Sequence, residues 1–237
     1  MNVHQLFDPG SRSYSYLLWE SASLEAALID PVHEQFSRDL RLIRELGLRL
    51  LYTLETHIHA DRITGSSLLR EALNSIVLVH GDYGSKCADF LLRDGDQIPL
   101  GSAKINILHT PGHTQGDVCY LIPGIVFSGE TLLIRGCGRT DFQSSDPGIL
   151  YDSITRRLFT LPDDTIVYPG HDYNGHSYTT IGEEMAYNPR IGKGKSRDEF
   201  IAIMNGLKLD PPPHMHEALP SNLHCGSSDY GPKQLSS

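Results

Sequence analysis

Four times along this chain a short apolar run stops at a loop that presents a histidine or a carboxylate. Leu50–Leu54 (LLYTL) leads into Thr56-His57-Ile58-His59-Ala60-Asp61-Arg62. Ala103–Leu108 leads into Thr110-Pro111-Gly112-His113-Thr114. Ile125–Ser128 ends at Gly129-Glu130, and Thr165–Tyr168 ends at Pro169-Gly170-His171-Asp172. Runs of this length, bounded by glycine and proline, read as strands. Strand ends with tight, glycine-permitted loops are where folds place chemistry. Each of the four offers at least one potential metal ligand.

The residue types suit a metal. Neutral imidazole is the commonest side-chain ligand, and in an extended stretch residues i and i+2 point the same way, so His57 and His59 can face one pocket. A lone HxH is more often a polar loop, a lone Glu130 more often a capping carboxylate, and a lone His171 more often a turn residue. The four together favour a metal site over those readings.

The rest of the chain supplies the layers around such a site. Tyr14–Glu20 and Glu25–Ile29 read as a meander, which Asp30-Pro31 ends. Phe36, Leu40, Ile43 and Leu46 recur at helical spacing up to Gly47, a C′ stop. A helix over about 65–73 precedes the strand Ile76–His80. Gln97–Leu100 contains Pro99 and so fits only an edge strand, and Val118–Ile122 turns at Pro123-Gly124. Asp146-Pro147 is an N-cap with proline at N1, opening a helix to Leu158. Beyond about residue 178 the chain turns to helix and loop, with a capping box at Ser196–Glu199 before Phe200–Met204. The last dozen residues, rich in serine and glycine, read as loosely ordered. Alternating strands and helices argue for packed layers of both.

At 237 residues the chain can bury one large core without staples. A net charge of −9, spread along the chain, argues against nucleic-acid or anionic-membrane partners, while leaving room for a locally basic pocket. No basic-then-apolar leader and no membrane-length apolar run is visible. Cys87, Cys119, Cys137 and Cys225 show no CxxC and no close pairing, so free thiols in a reducing cytoplasm are expected.

The order and spacing of THIHAD, TPGHTQGDVCYL, FSGE and YPGHDY resemble the metallo-β-lactamase superfamily. Leu132–Gln143 (LLIRGCGRTDFQ) is more specific and resembles the persulfide dioxygenases within it. Leu161-Pro162, Asn188-Pro189-Arg190 and Cys225-Gly226 extend that likeness over nearly the whole chain. The resemblance implies an α+β fold, the αββα four-layer sandwich, over residues 1–175, with 176–237 as a helical and loop extension packed on the same domain. It implies one Fe(II) per chain held by His57, His113 and Glu130, with zinc as a misincorporated metal. His59 and Asp61 would hold ligands and water in place. Arg139 would support the substrate pocket or its carboxylates, and Tyr173 would lend a phenolic hydrogen bond. The implied reaction oxidises glutathione persulfide with O₂ to sulfite and glutathione, in a homodimer whose interface involves the C-terminal third.

Two residues depart from the family pattern. Arg62 stands where a histidine is usual. A guanidinium stays protonated and has no lone pair suited to a metal, which argues against a second ion. It is left to pair with Asp61 or Glu130, or to attract an anionic substrate. Glu130 stands where aspartate is usual, keeping the charge on a side chain one methylene longer. The competing readings are a glyoxalase-II-like hydrolase of glutathione thioesters, which needs an activated metal-bound water, and a metal-binding sensor of the same fold. Cys137, between two glycines, is read as structural.

Overall fold

The computed structural model describes residues 1–142, 144–212 and 214–227. The first of its two six-stranded sheets takes β1 (Asn2–Asp8), β2 (Ser13–Trp19), β3 (Glu25–Ile29), β4 (Arg49–Leu54), β5 (Ile76–His80) and β6 (Phe90–Leu92) in sequence order. The first three strands form an antiparallel meander, and β3 to β6 run parallel. The crossovers carry α1 (Phe36–Glu45) and α2 (Ser66–Leu73). The second sheet has β7 (Gln97–Leu100), β8 (Ala103–His109), β9 (Val118–Ile122) and β10 (Ile125–Gly129) antiparallel. It continues with β11 (Ile166–Pro169) parallel to β10 and a short edge strand, β12 (Thr179–Thr180). Between β10 and β11 runs α3 (Pro147–Ser153), and α4 (Ile181–Tyr187), α5 (Arg197–Asn205) and α6 (Met215–Asn222) follow β12.

The period of two along each strand sorts side chains between layers. Tyr14, Tyr16, Leu18, Ala27 and Ile29 from the first sheet meet Ile105, Ile107, Tyr120 and Phe127 from the second. The alternate residues Leu17, Ala26 and Leu28 turn outward to pack with Ile43 of α1 and Leu69 of α2. Val126 and Val167 turn the other way, onto Leu150 of α3, Ile181 of α4, and Phe200 and Met204 of α5. Three apolar seams between four layers make the expected αββα sandwich. Phe200 is fully buried in the outer seam, so Phe200→Ala is expected to cost about 3–5 kcal/mol, measured by denaturant unfolding.

Local signals settle several elements. β7, carrying Pro99, lies at a sheet edge. The Asp146 side chain accepts from Ile149 N with Pro147 at N1, and Ser196 and Glu199 form the reciprocal capping box. The helix expected to run to Leu158 instead loosens into a π turn over Ile154–Leu158.

The cysteine expectation is corrected. Cys87 and Cys225 form a disulfide across 138 residues, and only Cys119 and Cys137, both buried, are free. The two sulfurs meet because the 85–87 loop and the turn after α6 are laced together, with Lys86 N donating to Leu223 O at 2.8 Å. No helix among the described residues is long and apolar enough to cross a membrane. Of the tail read as loosely ordered, residues 228–237 lie outside the described residues.

Candidate metal centre

The ends of β4, β8, β10 and β11 open on one cavity of about 530 Å³, lined by His57, Asp61, His113, Glu130 and His171. The rings of His57 and His113 approach edge to face, centroids 5.1 Å apart. Each has its Nδ1 committed elsewhere. Thr56 Oγ1 gives its hydrogen to Asp30 Oδ2 at 2.7 Å, so it can only accept from His57 Nδ1, 2.9 Å away. His113 Nδ1 donates to the carbonyl of Arg139 at 2.8 Å. Both imidazoles therefore keep a lone pair on Nε2, the orientation that metal-binding histidines need. Burial, with His59 and His113 nearby, holds His57 well below the usual imidazole range and so neutral.

Glu130 adds the charge. Burial alone would raise its carboxyl, but His171 and His113 hold it below the ordinary value. His171 donates from Nδ1 to Glu130 Oε1 at 2.6 Å and from Nε2 to Asp61 Oδ2 at 3.0 Å. Burial opposes the charge on His171, yet the two carboxylates raise it to about 9. Arg62 is buried beside them, its Nη1 3.2 Å from Asp61 Oδ2 and 3.4 Å from His171 Nε2. Its Nε and Nη2 have no hydrogen-bond partner among the described residues. Two neutral imidazoles and a carboxylate on one cavity fit a divalent transition metal. The fit has two conditions: Glu130 must share its oxygens between His171 and the ion, and the three ligand atoms, which do not all lie within 4.8 Å of one another, must draw together.

His59 lies behind this cavity. Its Nε2 stands 3.2 Å from both Asp30 Oδ1 and Glu55 Oε2. Burial and Arg62 oppose its protonation, but Asp30 and Glu55 outweigh them and raise its pKa. The ligand atoms of Asp30, Glu55 and His59 lie within 4.8 Å of one another. They are nevertheless wired to protein donors: Asp30 accepts from Thr56 N, and Glu55 accepts from Ser66 Oγ at 2.6 Å and from Thr64 Oγ1. Neither Asp30, which ends β3 in a left-handed conformation, nor Glu55 stood out in the sequence. Their signal was weak, a carboxylate at each of two strand ends.

Asn222, at the end of α6, ties this loop down. Its side-chain amide donates to the carbonyls of His59 and Arg62 at 2.8 Å and accepts from Thr64 N at 2.9 Å.

The RGCGR segment closes the cavity from the side. A Cβ on Gly138 would stand 2.7 Å from Glu130 O and 2.9 Å from His113 Cγ, so only glycine fits against both. The Arg139 guanidinium is bidentate to Asp141 at 2.6 and 2.7 Å and also holds the carbonyl of Asp210. Tyr173 lines the cavity stacked on His171, ring planes 8° apart. Burial pushes the Cys137 thiol up to about 11, in keeping with a structural role.

Residues 8–171 match the model of the metallo-beta-lactamase superfamily. The chain is 45% identical over 226 residues to the mitochondrial persulfide dioxygenase ETHE1 of Homo sapiens, covering 94% of this chain and 88% of that one. The crystal structure of ETHE1 from Myxococcus xanthus superposes with a TM-score of 0.93 at 48% identity, over 96% of this chain and all of that one. TTHA1623, solved in a di-iron-bound form, is 30% identical with a TM-score of 0.67, over 79% of this chain and 98% of that one. The chain belongs to the metallo-β-lactamase superfamily and, within it, to the persulfide dioxygenases.

Proposed function

We propose that this chain is a mononuclear iron enzyme that oxidises glutathione persulfide with O₂ and water to sulfite and glutathione. The observation that supports the reading is the Nε2 lone pair left on each of His57 and His113, in one cavity that the Glu130 carboxylate also lines. Iron held by these three would supply one-metal activation of O₂ beside a thiolate-type sulfur. Asp61, Arg62 and His171 would fix Glu130 and the charge around it. Zinc in the same site would be a misincorporated metal.

The substrate's anions need a cation. Arg139, the candidate from sequence, is already bidentate to Asp141. Through its carbonyl it orients His113, which makes it a positioning residue. Arg12 is exposed at the cavity wall, in a left-handed conformation that a non-glycine residue seldom adopts. It would bind a glutathione carboxylate. Arg12→Ala is expected to raise KM about fivefold with kcat unchanged, worth about 1 kcal/mol of ground-state binding. Tyr173 would offer its hydroxyl across the same cavity.

Arg62 fills with a fixed cation the neighbourhood of Asp61, Asp30 and Glu55. One ion per chain follows. Arg62→His is expected to raise metal uptake from about one to about two ions per chain, read by elemental analysis after identical loading.

The reading places a homodimer in the cytoplasm, with residues 176–237 belonging to the same folded unit as 1–175. Tyr178, Met185 and Tyr187 are exposed on the C-terminal third and support an interface there. Sedimentation would show a single species of twice the chain mass. The deciding assay is oxygen uptake by anaerobically iron-loaded protein on adding glutathione persulfide, with iron measured in the same sample. Oxygen consumed in step with sulfite is the expected result. Bound iron with no uptake would overturn the assignment, and thioester hydrolysis would then separate the hydrolase from the sensor.

A further inference from the structure

A second group of metal-ligating side chains converges on the surface, outside the catalytic cavity. His80 ends β5, Asp82 lies in the single helical turn Gly81–Tyr83 that follows, and His109 ends β8. One ligand atom from each lies within 4.8 Å of the others. The two imidazoles stack, centroids 3.9 Å apart and planes at 17°. Asp82 Oδ2 stands 3.8 Å from His80 Nδ1 and 3.9 Å from His109 Nε2. A tetrahedral ion with bonds of about 2.05 Å has ligand edges of about 3.4 Å. The gaps are thus wider than bonding requires by about half an ångström; binding takes a shift of Asp82, with its side chain 63% exposed, and a turn of the stacked rings so that their in-plane lone pairs converge.

The backbone holds the two halves of this group together. A Cβ on Gly116 would stand 2.6 Å from Tyr83 N and 3.0 Å from Asp82 C, so the turn bearing Asp82 is pressed against the loop that follows His109. His109 N donates to Asp94 Oδ1 at 2.9 Å, and His109 Nε2 donates to Gln115 O at 2.8 Å. His80 Nδ1 accepts from Asp82 N at 3.2 Å and so already bears a lone pair. Burial, with His109 alongside, keeps His80 below the usual imidazole range, while Asp82, Asp94 and Asp96 surround it with negative charge. Arg157 offsets one of these carboxylates through Asp94.

We propose that His80, Asp82 and His109 form a second binding site, for a divalent transition metal ion of the cobalt, nickel and zinc class. Two imidazoles and one carboxylate select borderline ions over magnesium or calcium. The Gln115 carbonyl, beside His109 Nε2, is placed to serve as a further oxygen ligand once the imidazole proton moves from Nε2 to Nδ1 and Nε2 turns its freed lone pair to the ion. The site is independent of what the cavity does. The two are nonetheless joined, because residues 109–115 carry His113, and an ion bound outside would brace the loop that presents it.

The test titrates Co(II) into the iron-loaded protein, following visible absorption and measuring cobalt and iron in the same dialysed samples. The expected result is one additional equivalent of cobalt with iron unchanged. His109→Ala and Asp82→Asn should each weaken that equivalent more than about tenfold without changing iron content or the melting temperature of the cobalt-free protein. Absence of the extra equivalent in the unaltered protein, or cobalt gained only as iron is lost, overturns the proposal. So does an extra equivalent that His109→Ala leaves at the same affinity, since the ion would then sit elsewhere.

Discussion

Glu130→Ala is expected to leave the protein folded and its proposed iron site empty. Glu130 is the only carboxylate in the proposed ligand set, and its loss removes the charge that lets two neutral imidazoles hold a dication. Loss of a mere supporting partner costs metal sites about 10- to 100-fold in affinity, and loss of a ligand should exceed that. Oxygen uptake should fall below detection, and iron should dialyse away. Glu130→Asp makes the informative contrast. It restores the residue usual in the family and keeps the charge, but its shorter side chain must give up the 2.6 Å contact with His171 or draw that ring inward. Iron retention by Glu130→Asp beside loss in Glu130→Ala would establish coordination. Full iron content in Glu130→Ala would remove Glu130 from the ligand set.

The second large effect lies behind the cavity. Asp30 is fully buried and accepts from Thr56 N, Thr56 Oγ1 and His59 Nε2. Asp30→Ala would leave those donors and the buried Arg62 without their shared anion, a loss of about 3–5 kcal/mol in denaturant unfolding. It would also release the Thr56 hydroxyl, so that His57 is no longer confined to one tautomer. Iron affinity should fall although Asp30 is not proposed as a ligand. The pH dependence has a definite sign. Burial would raise the Asp30 carboxyl, but His59 and Arg62 outweigh it and bring it below its ordinary 3.8. Its contribution is then complete above pH 3.8 and is lost as pH falls through the folded value. The difference in stability between the unaltered protein and Asp30→Ala should therefore shrink in acid, and it should also shrink as pH rises through the folded value of His59, which Asp30 raises. A difference within 0.5 kcal/mol at neutral pH would show that Asp30 does not hold the network.

The ligand candidates were legible because each follows its own strand within a few residues, and glycine or proline marks the turn. The layers were legible because Leu17 and Leu18, or Val126 and Phe127, are adjacent apolar residues that a strand must send to opposite faces. What escaped the sequence acts over distance or through the main chain. Asp30 reaches Thr56 across 26 residues, and Asn222 reaches His59 across 163. Arg139 orients His113 with its carbonyl, which any residue possesses. The Cys87–Cys225 bond spans 138 residues, beyond what spacing can reveal. β1 mixes polar and apolar residues because it lies at a sheet edge, where only Leu6 and Asp8 are buried.

The Asn222 clamp bears on how this protein is made. Synthesis runs from the N-terminus, and the residues 59–64 leave the ribosome long before the side chain that pins them. Both sheets, and every proposed ligand, are complete by β12, yet the loop after His57 has three backbone groups waiting for an amide in the last described helix. A chain stopped between α5 and α6 would keep the Phe200 seam, hold all its ligands and lack the lock on their loop. Such shortened products should accumulate as folded but metal-poor protein, which makes translation through α6 a checkpoint on catalytic competence.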